Sequence, residues 1–202
     1  SVMTHRKNKL VDFSVVKTFG IFVIIGVLLG TVFASAMKTK ILVLFFSVVV
    51  YFFGAYLMLA QEKIKKIKPN PSLFLRVIFG VISGFISAPM GITGAMMNVP
   101  ILRFFGFSIT KAIGSAAAIG LVISISGTLG FFSTGLYLDV SLPLSVGFIN
   151  IPAFLIFIPI TTIMARIGVN TVHKMSKIKA QRMFGIFLYV IGTIFIFRYS
   201  GL

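Results

Sequence analysis

The chain has 202 residues, of which 58% are apolar and only 11% charged, with a mean hydropathy of +1.10. A soluble domain carries about 25% charged residues and about 45–50% apolar ones, so a soluble fold is excluded. The absence of cysteine also excludes disulfides, thiolate chemistry and sulfur-ligated metals.

The apolar residues fall in blocks long enough to cross a membrane, where only an internally hydrogen-bonded helix leaves no backbone group unpaired. Thr18–Met37 and Ile41–Ala60 come first. A polar, basic linker follows over Gln61–Ser72, with Lys63, Lys65, Lys66 and Lys68. Leu73–Ala88 is the next block, then a broken stretch from Pro89 to Phe107. Ala112–Thr134, Leu142–Ala165 and Ala180–Tyr199 complete the set. Glycines such as Gly26, Gly30, Gly120, Gly127 and Gly130 lie inside these blocks, where small residues let helices approach closely in lipid. The hydroxyls of Ser124 and Ser126 are expected to satisfy their own helix.

Charge sets the orientation. The net charge of +16 sets 19 Lys and Arg against Asp12, Glu62 and Asp139. Because the cations cluster between apolar blocks, they read as cytoplasmic loops under the positive-inside rule, and no nucleic-acid partner is implied. If Ala95–Phe105 crosses as a short helix, the chain has seven crossings, and only Lys38, Lys40 and Arg198 of the 19 cations fall outside. Asp12-Phe13-Ser14 followed by Gly20 has the spacing of Asp139-Val140-Ser141 followed by Gly147. With seven crossings the two copies have opposite orientation, as in the inverted repeats of many transporters. The fold expected is therefore an all-α integral membrane protein, a polytopic helical bundle with inverted repeats. Residues 1–68 are the remainder of a first repeat with two spans. Residues 69–202 are a second repeat with four long spans and a short broken helix.

Chemistry concentrates in the interrupted segment Ile82–Ser115, which reads I-S-G-F-I-S-A-P-M-G-I-T-G-A-M-M-N-V-P-I-L and then G-F-S-I-T-K-A-I-G-S. A helix ending near Ala88 meets Pro89, which has no amide hydrogen, and then Gly91 and Gly94, which permit irregular backbone. A short helix starting near Gly94 presents unpaired amide groups and the positive end of its dipole, a pairing that suits an anion. Irregular backbone at membrane depth is tolerated only when protein buries it or a water-filled cavity adjoins it. Asn98, Ser83, Ser87, Thr93 and Ser115 add neutral polar groups around the break. The alternative is that Pro and Gly merely kink a helix and the hydroxyls satisfy backbone carbonyls.

This stretch resembles the second signature of the TauE/SafE sulfite-exporter family, roughly G-x-G-G-G-x-x-x-V-P-x-L followed by A-x-G-T-S. The matching positions are Gly91, Gly94, Val99, Pro100, Leu102, Ala112 and Gly114. The likeness runs on through Gly127, Gly135 and the basic loop before the last span, and back over Arg6 to Ala60. Thr93 and Ala95 stand where the family usually has glycine, and Ser115-Ala116 replaces Thr-Ser. The resemblance implies a permease for small, often sulfur-containing anions such as sulfite, sulfonates or sulfoacetate. Residues and resemblance together assign the substrate to Gly91, Thr93, Gly94, Asn98, Pro100, Gly114 and Ser115. The family's earlier glycine-rich copy is missing, so the chain reads as a piece lacking the first spans.

Rival functions are weighed on inventory. An enzyme finds no carboxylate within a span, and His5 and His173 both lie in basic loops without a paired partner. Clustered metal ligands are likewise wanting, and no cofactor is implied. An anion channel could use the same dipoles, and a scaffold subunit would need only helix packing. The partners implied are a small anionic substrate and the bilayer of the inner (plasma) membrane, with homo-oligomerisation left open.

Overall fold

The structure, a computed structural model, describes residues 11–59, 72–91, 95–139, 143–173 and 177–200. These form helices α1 (Phe13–Ala36), α2 (Thr39–Leu59), α3 (Leu73–Met90), α4 (Ala95–Phe104) and α5 (Ile109–Tyr137). A two-stranded hairpin of β1 (Ser145–Val146) and β2 (Ile149–Asn150) follows, then α6 (Ile151–His173) and α7 (Lys177–Ser200). The protein is an all-α, multi-pass membrane protein. Among the described residues four helices are long and apolar enough to cross a bilayer: α1, α3, most of α2 and most of α5. Ile151–Met164 is a shorter apolar helical stretch. Large apolar side chains face outward, Phe52 at 69%, Leu155 at 62% and Phe157 at 63% exposure, as a surface bathed in lipid requires.

Short polar side chains start the helices. The Asp12 carboxylate accepts the amides of Ser14 (3.1 Å) and Val15 (3.3 Å) at the head of α1. Ser72 and Ser108 do the same for α3 and α5, accepting from Leu75 and Lys111 at 3.4 Å each. Asn150 accepts from Ala153 at 2.9 Å and caps α6.

The chain divides into two compact units. The first holds α1, α3, α4 and α5, and its tightest seam lies between α1 and α3. A Cβ built on Gly26 would strike the carbonyl oxygen of Val81, and one built on Gly84 would strike that of Val23. Gly30 would meet the Phe85 carbonyl at 2.5 Å and Gly80 the Phe22 Cβ at 2.8 Å. Two Gly-x-x-x-Gly faces thus let the backbones touch, the small-residue contact that replaces hydrophobic driving force in lipid. Around the seam lies a core of Phe19, Val23, Val27, Leu102, Phe105, Ala112, Ala116, Ile119 and Ile123. Phe105 meets Phe19 and Phe79 edge to face, with centroids 5.9 Å apart in both pairs. Farther along, the Ser35 hydroxyl donates to Thr134 Oγ1 (3.0 Å), joining α1 to α5.

The second unit holds α2, the hairpin, α6 and α7. Here α2 and α7 pack through Gly54 and Gly185, where a Cβ on Gly185 would stand 3.1 Å from the Gly54 carbonyl. The Tyr51 hydroxyl and Thr193 Oγ1 share a 2.6 Å hydrogen bond beside a Tyr51–Tyr189 ring contact.

Two sequence expectations change. The block Leu142–Ala165 is not one helix: α6 begins at Ile151, behind a hairpin in which Ser145 pairs with Asn150 and Val146 with Ile149. Gly147 has φ +58 and Phe148 a negative φ, the pattern of a two-residue type II′ turn. Pro143 and the capping Asn150 complete the interruption. Nor do the matched residues of the proposed repeat hold equivalent places. Asp12 heads a helix while Asp139 follows one with φ 49; Gly20 lies inside α1 while Gly147 turns the hairpin. Val140 and Ser141 lie outside the described residues. The seven-crossing topology therefore rests on charge.

Candidate functional site at the break between α3 and α4

The break forms as the residue types dictate. Pro89 sits in the last turn of α3, and Gly91 caps it with φ +60, its amide reaching the Ala88 and Ser87 carbonyls. A Cβ on Gly91 would meet nothing within 4 Å, so glycine is needed there for its left-handed backbone and not for space. After three residues the chain re-enters helix at Ala95, where the sequence reading set it. Pro100 lies within this ten-residue helix, and without an amide hydrogen it cannot make the helical bond to the carbonyl of Met96, four residues back. Thr93 and Gly94 lie outside the described residues.

Asn98 is the centre of the arrangement. Its side chain is fully buried, and its Oδ1 accepts the Ser83 hydroxyl at 2.7 Å across from α3. Its Nδ2 has no hydrogen-bond partner in the structure, and neither does the hydroxyl of Ser87, one turn beyond Ser83. Both atoms are buried. An unmade hydrogen bond at a buried polar atom costs about 1–3 kcal/mol, and such atoms are rare in native proteins.

The other helical serines show that this is not the habit of the fold. Ser47, Ser124, Ser126 and Ser133 each donate to the carbonyl four residues back, at 2.8–2.9 Å. Ser124 and Ser126 thus satisfy their own helix as expected. Ser83 spends its proton on Asn98, and Ser87 on nothing in the structure. The two hydroxyls were visible in the sequence as polar groups near the break, yet they were not among the assigned residues. Their four-residue spacing, which puts both on one face of α3, was the signal.

Ser115 has a different attachment. It is buried, and its Oγ accepts the Asp12 amide at 3.0 Å, tying α5 to the head of α1. Gly114 beside it is buried in α5. No hydrogen bond among the described residues joins Ser115 to Asn98. Three of the assigned positions, Gly91, Asn98 and Pro100, therefore belong to the break itself, and Gly114 and Ser115 to the second turn of α5. Among the described residues no three His, Asp or Glu side chains cluster as metal ligands.

A buried amide donor beside a helix break, in a chain of apolar spans, is the arrangement in which comparison with known proteins becomes informative. The sequence pattern of the sulfite exporter TauE/SafE family matches residues 1–195. The chain belongs to that family. A "Probable membrane transporter protein" of Haemophilus influenzae is 25% identical over 192 residues, covering 95% of this chain and 73% of that protein. Another of the same description from Methanocaldococcus jannaschii is 24% identical over 198 residues, covering 95% and 71% respectively. No solved structure matches the chain. This TauE/SafE member is thus a membrane transporter, as the glycine and proline positions of the broken segment implied.

Proposed function

We propose that this protein is a permease for small anions, of the sulfur-oxyanion or sulfonate class, in the plasma membrane, and that the anion is held at the α3–α4 break. The observation that carries this reading is the pair of buried, unpartnered donors, Asn98 Nδ2 and the Ser87 hydroxyl. Two neutral donors left unpaired at membrane depth are a standing cost to the fold, and a bound oxyanion would remove it with charge-assisted bonds. The start of α4 adds the positive end of a helix dipole to the same neighbourhood. Neutral donors hold an anion without trapping it, since no fixed counter-charge has to be left behind when it moves on. Binding and release, with no bond made or broken, set this reading apart from an enzyme. The family description supports the sulfur-anion class.

The test is flux into and out of sealed vesicles holding the full-length gene product, measured against sulfite, sulfonates, sulfoacetate and a panel of small carboxylates. Saturable flux of a sulfur anion, lost in Asn98→Asp, is the expected result. Flux restricted to carboxylates would overturn the substrate class, and unitary currents far above carrier turnover would make the protein a channel.

A further inference from the structure

The first unit has a second polar feature, separate from Asn98, where three helices begin. A cavity of about 490 Å³ is lined by Asp12, Ser14, Val15, Arg76, Gly106, Phe107, Ser108 and Lys111. Ligand cavities of small molecules start at about 300 Å³, so the volume accommodates a phosphate and its ester carbons. The lining brings together the first turns of α1, α3 and α5.

The electrostatics of this cavity are positive. Arg76 and Lys111 contribute full charges, and the three helix starts each add about half a charge. Asp12 opposes them, but its carboxylate is engaged with the Ser14 and Val15 amides of its own helix. The negative end of α4, which finishes nearby, is offset by Arg103, whose Nη1 donates to the Phe107 carbonyl at 3.2 Å. Arg76 is held in place partly through Nη1, which donates to Thr18 Oγ1 at 3.2 Å.

Position supplies the second argument. Arg76 and Lys111 lie on the side that the charge pattern assigns to the cytoplasm, at helix ends, hence at headgroup depth. Basic pockets between spans at this level bind phosphate headgroups. We propose that the cavity is a phosphate-monoanion or diester site, filled by the headgroup of an anionic phospholipid, that locks the starts of α1, α3 and α5 together. The proposal is independent of the transport reading, since it involves no residue of the break.

The experiment uses the full-length gene product in nanodiscs of phosphatidylcholine with or without phosphatidylglycerol, and counts lipid retained after mild delipidation by native mass spectrometry. The wild type is expected to retain phosphatidylglycerol selectively. Arg76→Gln with Lys111→Gln should weaken retention about thirtyfold, or about 2 kcal/mol for two basic contacts. Lys38→Gln with Lys40→Gln, which removes the same charge beyond the opposite end of α1, should leave it unchanged. Arg76→Lys with Lys111→Arg keeps both charges and should keep most of the binding, which guards against a folding defect in the neutral pair. Displacement by millimolar inorganic phosphate would assign the site to a soluble phosphate instead of a lipid. Equal retention in both neutralised pairs, or equal retention of the two lipids, would overturn the proposal.

Discussion

Asn98→Leu separates a site from a packing contact, because the two readings give stability changes of opposite sign. The substitution removes the Ser83–Asn98 hydrogen bond, whose net worth is about 1 kcal/mol. It also removes Nδ2, whose lack of a partner costs about 1–3 kcal/mol. Ser83 then has the carbonyl of Phe79, four residues back, to turn to, as Ser47 turns to Val43 at 2.8 Å. The sum lies between no change and a stabilisation of about 2 kcal/mol, which for a chain of this size is a rise in Tm of up to about 8 °C. Transport should move the other way. Losing one charge-assisted bond of about 1.5–3 kcal/mol weakens anion binding by roughly ten- to 150-fold.

The measurements are thermal unfolding of the purified full-length protein by circular dichroism and vesicle flux at several substrate concentrations. Asn98→Asp is the near-isosteric control: it keeps an acceptor for Ser83 but brings a negative charge toward the anion. A fall in Tm of more than about 5 °C for Asn98→Leu, with flux falling in parallel, would mean that Asn98 only holds α4 to α3. Unchanged flux in Asn98→Asp would refute the site outright.

Three further expectations follow from the packing. Gly84→Val places a side chain against the Val23 backbone and should cost about 1–3 kcal/mol. Gly127→Ala, whose Cβ would stand 3.7 Å from Val27 Cγ1, should change stability by less than about 0.5 kcal/mol; equal shifts in Tm would contradict the seam. Ser115→Ala takes the acceptor from the Asp12 amide and should lower Tm by several degrees while leaving the KM for the anion unchanged; a raised KM with unchanged Tm would return Ser115 to the binding site. Cysteine at Leu138 should label only from outside and cysteine at Lys177 only from the cytoplasm, against a cysteine-free background; labelling from one common face would remove the seven-crossing topology.

What the sequence made legible was whatever depends on local rules. The helix break was readable because Pro89 and Gly91 act on their own backbone, whatever surrounds them. Ser124 and Ser126 were readable because a helical hydroxyl has a carbonyl four residues back within reach. The hairpin before α6 was missed because Val146, Phe148 and Ile149 keep the stretch apolar, while Pro143, Gly147 and Asn150 punctuate it at a spacing that an average over twenty residues erases. The contacts of Asn98 and Ser115 depend on where other helices lie. Ser115 meets a partner 103 positions away, and a sequence pattern shows only that it is polar. The choice of Asn98 as a candidate was open to sequence reading; the missing partner on its Nδ2 was not.

The donors at the break also bear on the driving force. Asp12 and Asp139, the acids among the described residues, both stand at helix ends, and α3 and α4 carry no Asp, Glu or His. A proton-coupled carrier places such a group within a span to accept the proton. On the proposed site, an anion held by an amide and a hydroxyl would instead cross with its charge uncompensated, so its movement would shift net charge across the membrane. A potential of 100 mV, negative inside, then favours export by about 2.3 kcal/mol for each charge. For a dianion the gain is about 4.6 kcal/mol, a gradient of over a thousandfold at about 1.36 kcal/mol per decade. Flux through the full-length protein should therefore follow a potential clamped with potassium and valinomycin, and ignore a pH step made at constant substrate ionisation. Flux that tracked the pH step and not the potential would require a titratable group in the path, and neutral donors at Asn98 and Ser87 would then be too little to account for transport.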